Sequence, residues 1–198
     1  KELMNNKILF NSPDFKQPIP ELEQYSTPPD IALEIIKKVN TSGNLSGKVA
    51  DLGCGTGRLA IAAAILGANV TGFEIDEEAI NIAKIYSEHN NLEIEWINQA
   101  IEGIEDNFDT VIMNPPFGSQ RPGADRIFLE KAMEIAPHIW TIHLSGTRKF
   151  IEKLVEDNKC QIVELYEFRY PLEKTMPFHT KDVSVENAIL YHIASLPN

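Results

Sequence analysis

The feature that most narrows the fold is a short apolar run that breaks into alternating glycines and resumes as a helix. Lys48 to Leu52 reads as a buried strand, Gly53-Cys54-Gly55-Thr56-Gly57 as a turn, and Gly57 to Leu66 as an Ala/Ile-rich helix. Glycine has no Cβ, so the backbone can bend sharply there and bring its N–H groups close to a ligand. A second strand, Asn69 to Glu74, follows, with Asp76 placed to cap the next helix. Such a strand–helix–strand unit predicts an α/β fold: a mostly parallel central sheet with helices on both faces.

The chemistry of the loop can be narrowed further. A dinucleotide fingerprint requires glycine at position 58, but Arg58 stands there and the third glycine is Gly57. This disfavours NAD and favours S-adenosylmethionine, which has no pyrophosphate. Glu74 ends the second strand, where a carboxylate can accept both ribose hydroxyls. Asp51 either positions the loop backbone or reaches the methionine part of the ligand through water. Cys54 has no nearby histidine to activate it and reads as a small loop residue.

The rest of the chain fits one domain. Its 198 residues, 43% of them hydrophobic, allow a sizeable core. Residues 1–26 are expected to form an N-terminal arm, irregular over the first twenty with Pro13, Pro18 and Pro20; residues 27–198 form the domain. Thr27-Pro28-Pro29-Asp30 predicts an N-cap, a proline at the first helical position and a helix that Ser42-Gly43-Asn44 ends. Leu92, Ile94 and Trp96 alternate with Glu93 and Glu95, as in a strand near the sheet edge. Further elements are a strand Phe108–Met113, a helix Asp125–Ala136, a strand Ile139–Leu144 and a helix Thr147–Glu156. Two consecutive strands, Ile162–Tyr170 and Ser184–Ile193, predict an antiparallel C-terminal pair. There is no apolar run of membrane-spanning length and no signal-peptide pattern, so a cytoplasmic protein with no membrane partner is expected. Two cysteines and five scattered histidines imply no metal site.

The fourth strand runs into Asn114-Pro115-Pro116-Phe117, at the carboxyl end where open α/β sheets bind ligands. An exocyclic amino group on adenine is a poor nucleophile because its lone pair is delocalised into the ring. If the Asn114 amide oxygen and the Pro115 carbonyl each accept one amino hydrogen, the nitrogen is drawn toward tetrahedral geometry. The prolines preset the backbone, and Phe117 can stack on a flat base. A base within a duplex must be flipped out to reach such a turn.

These motifs resemble the S-adenosylmethionine-dependent methyltransferase superfamily, in its Rossmann-like class I form. The resemblance is closer still to the methyltransferase-like protein five family of ribosomal RNA adenine N6-methyltransferases and their archaeal relatives. It rests on Leu22-Glu-Gln-Tyr-Ser-Thr27, Asp51 to Gly57, Gly72-Phe-Glu-Ile-Asp76, Asn114 to Gly118, Ile142-His-Leu144 and Phe178-His179-Thr180-Lys181. It implies that Gln24 and Thr27 close over the cofactor and that Gly53, Thr56 and Arg58 belong to its loop. Glu74 would hold the ribose, Asn114 to Phe117 would form the catalytic turn, and Phe178, His179 and Lys181 would lie on the substrate side. His179 reads equally well as a surface residue. Similar enzymes place an Asp after the third strand to accept from the cofactor's adenine; here Ala100 and Ile101 occupy that stretch, leaving main-chain groups, Gln99 or Asn98 for the task. The family also includes members joined by strand pairing to a small zinc-binding activator protein, for which the third-strand edge with Trp96 is a docking candidate.

The expected reaction is methylation of adenine N6 in structured RNA, foremost ribosomal RNA. A formal charge of −11 runs against nucleic-acid binding, although Arg121, Arg126, Arg169, Lys174, His179 and Lys181 fall in two local basic segments. Methylation of a glutamine side-chain amide in a protein poses the same planar-nitrogen problem and is the rival reading. An inactive cofactor-binding scaffold is the third.

Overall fold

The computed structural model describes residues 2–24, 26–118, 120–173 and 183–198. Among them are strands β1 Lys48–Leu52, β2 Asn69–Glu74, β3 Ile94–Asn98, β4 Thr110–Met113, β5 His138–Leu144, β6 Cys160–Glu173 and β7 Val183–Ser195. The α-helices are α1 Glu2–Phe10, α2 Pro29–Thr41, α3 Arg58–Ile65, α4 Glu77–His89, α5 Ala124–Ile135 and α6 Arg148–Asp157. The strands make one sheet in the order β3-β2-β1-β4-β5-β7-β6. Neighbours from β3 to β5 are parallel, whereas β7 runs antiparallel to both β5 and β6. The expected mostly parallel sheet with an antiparallel C-terminal pair is what the chain forms.

Alternation along each central strand feeds two separate cores, because successive side chains point to opposite faces. Val49, Ile112, Trp140, Ile142 and Leu190 pack under α1, α2 and α3. Leu52, Val111, Met113, Ile139 and Tyr191 pack under α5 and α6. A parallel sheet buried on both faces needs this two-sided apolar pattern.

Two local expectations need correction. The first twenty residues are not irregular throughout, since Glu2–Phe10 is helical. Leu9 is fully buried in the first core and the Tyr86 hydroxyl donates to the Ile8 carbonyl. Thr27 does not cap α2, whose N-cap is Pro28 and lacks a side-chain hydrogen bond. Trp96 lies on the inner face of the edge strand, in keeping with its alternation with the exposed Glu93 and Glu95. Its indole N–H donates to Ser87 Oγ at 2.9 Å, and its ring fills the space that Cβ atoms on Gly57 and Gly72 would need. Asp76 does cap α4, accepting from the Glu78 N–H.

The end of β5 holds a buried histidine with a measurable consequence. His143 is 1% exposed and its Nε2 lies 2.7 Å from Thr141 Oγ1. Desolvation lowers its pKa from 6.5 to about 3. Across that window the unfolded chain binds a proton that the folded chain refuses, so this group's contribution to stability is lost as pH falls. Burial pushes Asp51 and Glu74 the opposite way, up from the carboxylate range, so the folded state binds their protons more readily and they oppose that loss. The comparison must therefore be differential. In denaturant titrations, wild type is expected to lose about 2 kcal/mol more than His143→Gln between pH 7 and pH 5. Equal losses would show that the imidazole does not titrate in this way.

Candidate active site

The strand order reverses at β1, which is flanked by β2 on one side and β4 on the other. Asp51 pairs in register with Ile112, so the two chains leave the sheet next to each other. One continues into the glycine loop and the other into Asn114-Pro115-Pro116-Phe117. A crevice opens at such a switch point. Here it is a cavity of about 1030 Å³, counting space open to solvent.

The loop wall is built by two buried carboxylates that accept three backbone N–H groups. Asp51, 1% exposed, takes the Ala60 N–H at 3.1 Å and so anchors the first turn of α3 to the end of β1. Of its two expected roles, positioning the backbone is the one the geometry displays. Glu74, 7% exposed, takes the Gly55 N–H on Oε1 at 2.9 Å and the Asp76 N–H on Oε2 at 3.0 Å. Each carboxylate oxygen keeps a lone pair for a ligand hydroxyl. Desolvation raises the pKa of Glu74, with the hydrogen bonds from Asp76 and Gly55 working against it.

The sequence-derived positions Asp51, Gly53, Gly55, Thr56, Arg58 and Glu74 all border the cavity, as do Gln24, Thr27, Ala100, Ile101 and Asn114. Gly57 does not; with φ of 95°, it starts α3 and leaves room for Trp96. Arg58 and Thr56 spend their donors on the arm. The Arg58 guanidinium reaches Ser12 O, Ser12 Oγ and Thr27 O, and Thr56 Oγ1 donates to Pro13 O. Asn98 braces the turn after β2 through Glu74 O and Ile75 O, leaving Gln99 beside the cavity.

The arm closes the other side. Gln24 donates to Asp76 Oδ2 at 2.7 Å and accepts from the Ile19 N–H at 2.8 Å. Phe15 lies over Gly55, where a Cβ would come within 2.6 Å of its ring. Phe128 of α5 covers Gly53 in the same manner. Neither phenylalanine was identifiable as a site residue from sequence, because each is placed by contacts far along the chain.

At the turn, Asn114 Nδ2 donates to Thr27 Oγ1 at 3.0 Å and to the Tyr170 hydroxyl at 2.8 Å. Both amide hydrogens are thus committed, which leaves the amide oxygen as the group's acceptor. Tyr170 is fully buried, and desolvation pushes its pKa up to about 12, so its hydroxyl stays neutral. The Phe117 ring meets Tyr170 edge-on, with centroids 6.4 Å apart. Tyr170 is a support that sequence reasoning missed; it sits on β6, and only the antiparallel return of the C-terminal strands carries it there.

Among the remaining predicted residues, Arg121 borders the cavity. Arg126 pairs with Glu130 at 3.4 Å and lies over the Phe150 ring, and Arg169 is exposed. Phe178, His179 and Lys181, together with Lys174, lie outside the described residues. No group of three or more metal-binding side chains occurs among the described residues, and none of the described helices is long and apolar enough to cross a membrane.

Comparison with known proteins agrees with this geometry. The methyltransferase small domain family matches residues 30–138. The chain is 38% identical to uncharacterized protein MJ0284 of Methanocaldococcus jannaschii, covering 90% of this chain and 87% of that protein. It is 38% identical to rRNA N(6)-adenosine-methyltransferase METTL5 of Danio rerio, covering 87% and 89%. The crystal structure of PH1948 from Pyrococcus horikoshii, a proposed RNA methyltransferase, superimposes with a TM-score of 0.91 at 32% identity, covering 100% of this chain and 98% of that one.

Proposed function

The chain belongs to the methyltransferase small domain family, within its rRNA N6-adenosine methyltransferase branch, and we propose that it methylates N6 of an unpaired or flipped adenine in ribosomal RNA. The methyl donor is S-adenosylmethionine, whose sulfonium supplies an electrophilic methyl group.

The residues present fit that donor. Glu74 offers two buried acceptors for the ribose, and the glycine loop lets backbone approach where side chains would collide. Ala100 and Ile101 border the same cavity together with Gln99 and Glu102, while Gln24 and Thr27 close the arm side.

The observation that carries the reading is the commitment of both Asn114 amide hydrogens to hydroxyls. Asn114 Oδ1 and the Pro115 carbonyl are then the acceptors for the two amino hydrogens, which localises the nitrogen lone pair toward the methyl. Phe117, braced by Tyr170, presents a half-buried ring to the base. Phe178, His179 and Lys181 complete the proposal on the substrate side.

The same proposal places the enzyme in the cytoplasm and assigns the outer edge of β3 to a small zinc-binding activator. β3 ends the sheet and Glu95 is exposed, so a strand can add there without disturbing the inward Trp96.

The test is incubation with labelled S-adenosylmethionine and separate ribosomal RNA, ribosomal subunit and protein fractions, followed by hydrolysis. Labelled N6-methyladenosine is expected. Labelled methylglutamine with unlabelled RNA would move the assignment to protein methylation.

A further inference from the structure

We propose that Glu23 is a positioning residue for methyl transfer, holding the Asn114–Phe117 turn in its reactive shape from the arm. The inference deepens the function proposed above and rests on that turn being the reacting one. The Glu23 carboxylate accepts the Phe117 N–H on Oε1 at 3.2 Å and the Gly118 N–H on Oε2 at 3.0 Å. The residue is 7% exposed. It also lines a small recess with Asn114, Pro115, Pro116 and Phe117.

The geometry gives this grip a specific target. The Pro116 ring fixes φ at that residue. The Phe117 N–H belongs to the peptide plane that follows, so holding it fixes ψ of Pro116. With both dihedrals held, the preceding peptide plane cannot rotate, and that plane carries the Pro115 carbonyl, the second amine acceptor. Asn114, the first acceptor, is fixed independently by Thr27 and Tyr170. Glu23 and the Thr27–Tyr170 pair thus each set one of the two acceptors.

The arm maintains Glu23 at a cost. Its backbone lies in the left-handed region, φ 48° and ψ 49°, which an L side chain enters with strain and which persists only where the surroundings impose it. Those surroundings are a short 3-10 turn, Pro20–Leu22, closed by the Glu23 N–H on Pro20 O, and the next residue, Gln24, tied to Asp76. The arm is also pinned to the cofactor loop through Thr56 and Arg58. One segment therefore spans the donor cavity and the reacting turn.

Glu23→Ala and Glu23→Gln in the full-length protein test this, with Lys16→Ala as control, Lys16 being an exposed arm residue that does not border the cavity. Glu23→Ala keeps the same backbone strain and removes both acceptors. It is expected to lower kcat by about 10²-fold, with KM for RNA and Kd for S-adenosylmethionine within about threefold of wild type. Glu23→Gln retains one acceptor and similar volume, so its kcat should fall between the two, which distinguishes lost positioning from lost folding. Hydrogen exchange provides the readout that a merely structural role would not move: the Phe117 and Gly118 amides should lose protection selectively in Glu23→Ala. A kcat within about twofold of wild type in both variants overturns the proposal, as does a loss of cofactor affinity equal to the loss of turnover. The exchange measurement needs no methyl acceptor. Protection that depends on Glu23 in a protein that does not methylate adenine would therefore overturn the substrate assignment while supporting the Glu23 grip.

Discussion

Asn114→Ala is expected to lower turnover by at least about 10³-fold while leaving affinity for S-adenosylmethionine within about threefold of wild type. The asymmetry follows from where the side chain is tied. Its Nδ2 donates to Thr27 and Tyr170, two neutral hydroxyls that each lose one donor, and no charged partner, when the amide is removed. The contacts proposed for the cofactor, around Glu74 and the glycine loop, lie at the ends of β2 and β1 and are untouched. What disappears is an acceptor aimed at a hydrogen of the nucleophile, an interaction that strengthens only as the nitrogen rehybridises. Asn114→Asp provides the sharper contrast. One carboxylate oxygen accepts from the Thr27 and Tyr170 hydroxyls, now acting as donors, and the other keeps the acceptor role, so this variant should retain clearly more activity than alanine. Single-turnover rates with saturating donor, alongside calorimetric donor binding, decide the matter. An alanine variant within about tenfold of wild type would remove Asn114 from the chemistry.

The parts of this site that could be read in the sequence are those whose cause is local. Glycines at 53, 55 and 57 announce a tight turn because the backbone there takes φ of 67°, 56° and 95°, angles that disfavour other residues. Asn114-Pro115-Pro116-Phe117 states its own geometry through two ring-locked dihedrals. The alternating and continuous apolar runs gave the strands, since each strand's neighbours impose burial on one face or both. What local pattern does not encode is who meets whom across the chain. Glu23 meets Gly118, 95 residues away, and Tyr170 meets Asn114, 56 residues away. The strand's alternation puts Trp96 on the inner face, but it does not disclose that Gly57 and Gly72 are the residues that leave space for its ring. The helix α1 is illegible for a related reason: Leu9 is its only buried residue, so its stability comes from docking and not from an amphipathic stripe.

Glu74→Ala should weaken binding of S-adenosylmethionine by about 10²-fold or more, the effect of losing hydrogen bonds from ribose hydroxyls to a charged acceptor. The loss compounds because Glu74 also shapes the site. Its carboxylate takes the Gly55 and Asp76 N–H groups, and truncation leaves these donors without that acceptor in a mostly buried corner. Glu74→Gln cannot restore the arrangement, since its amide nitrogen would face one of those N–H groups, donor against donor. The same carboxylate predicts a pH dependence of binding. Burial raises its pKa above the ordinary glutamate value, so it takes up a proton earlier on acidification than an exposed glutamate would. The protonated acid has lost an acceptor for the ribose. Donor affinity of wild type should accordingly fall as pH drops through that raised pKa, while Glu74→Ala, already weak, should show a flat profile over the same range. Titration calorimetry across that range separates the two cases, and parallel profiles for wild type and variant would mean that some other group holds the ribose.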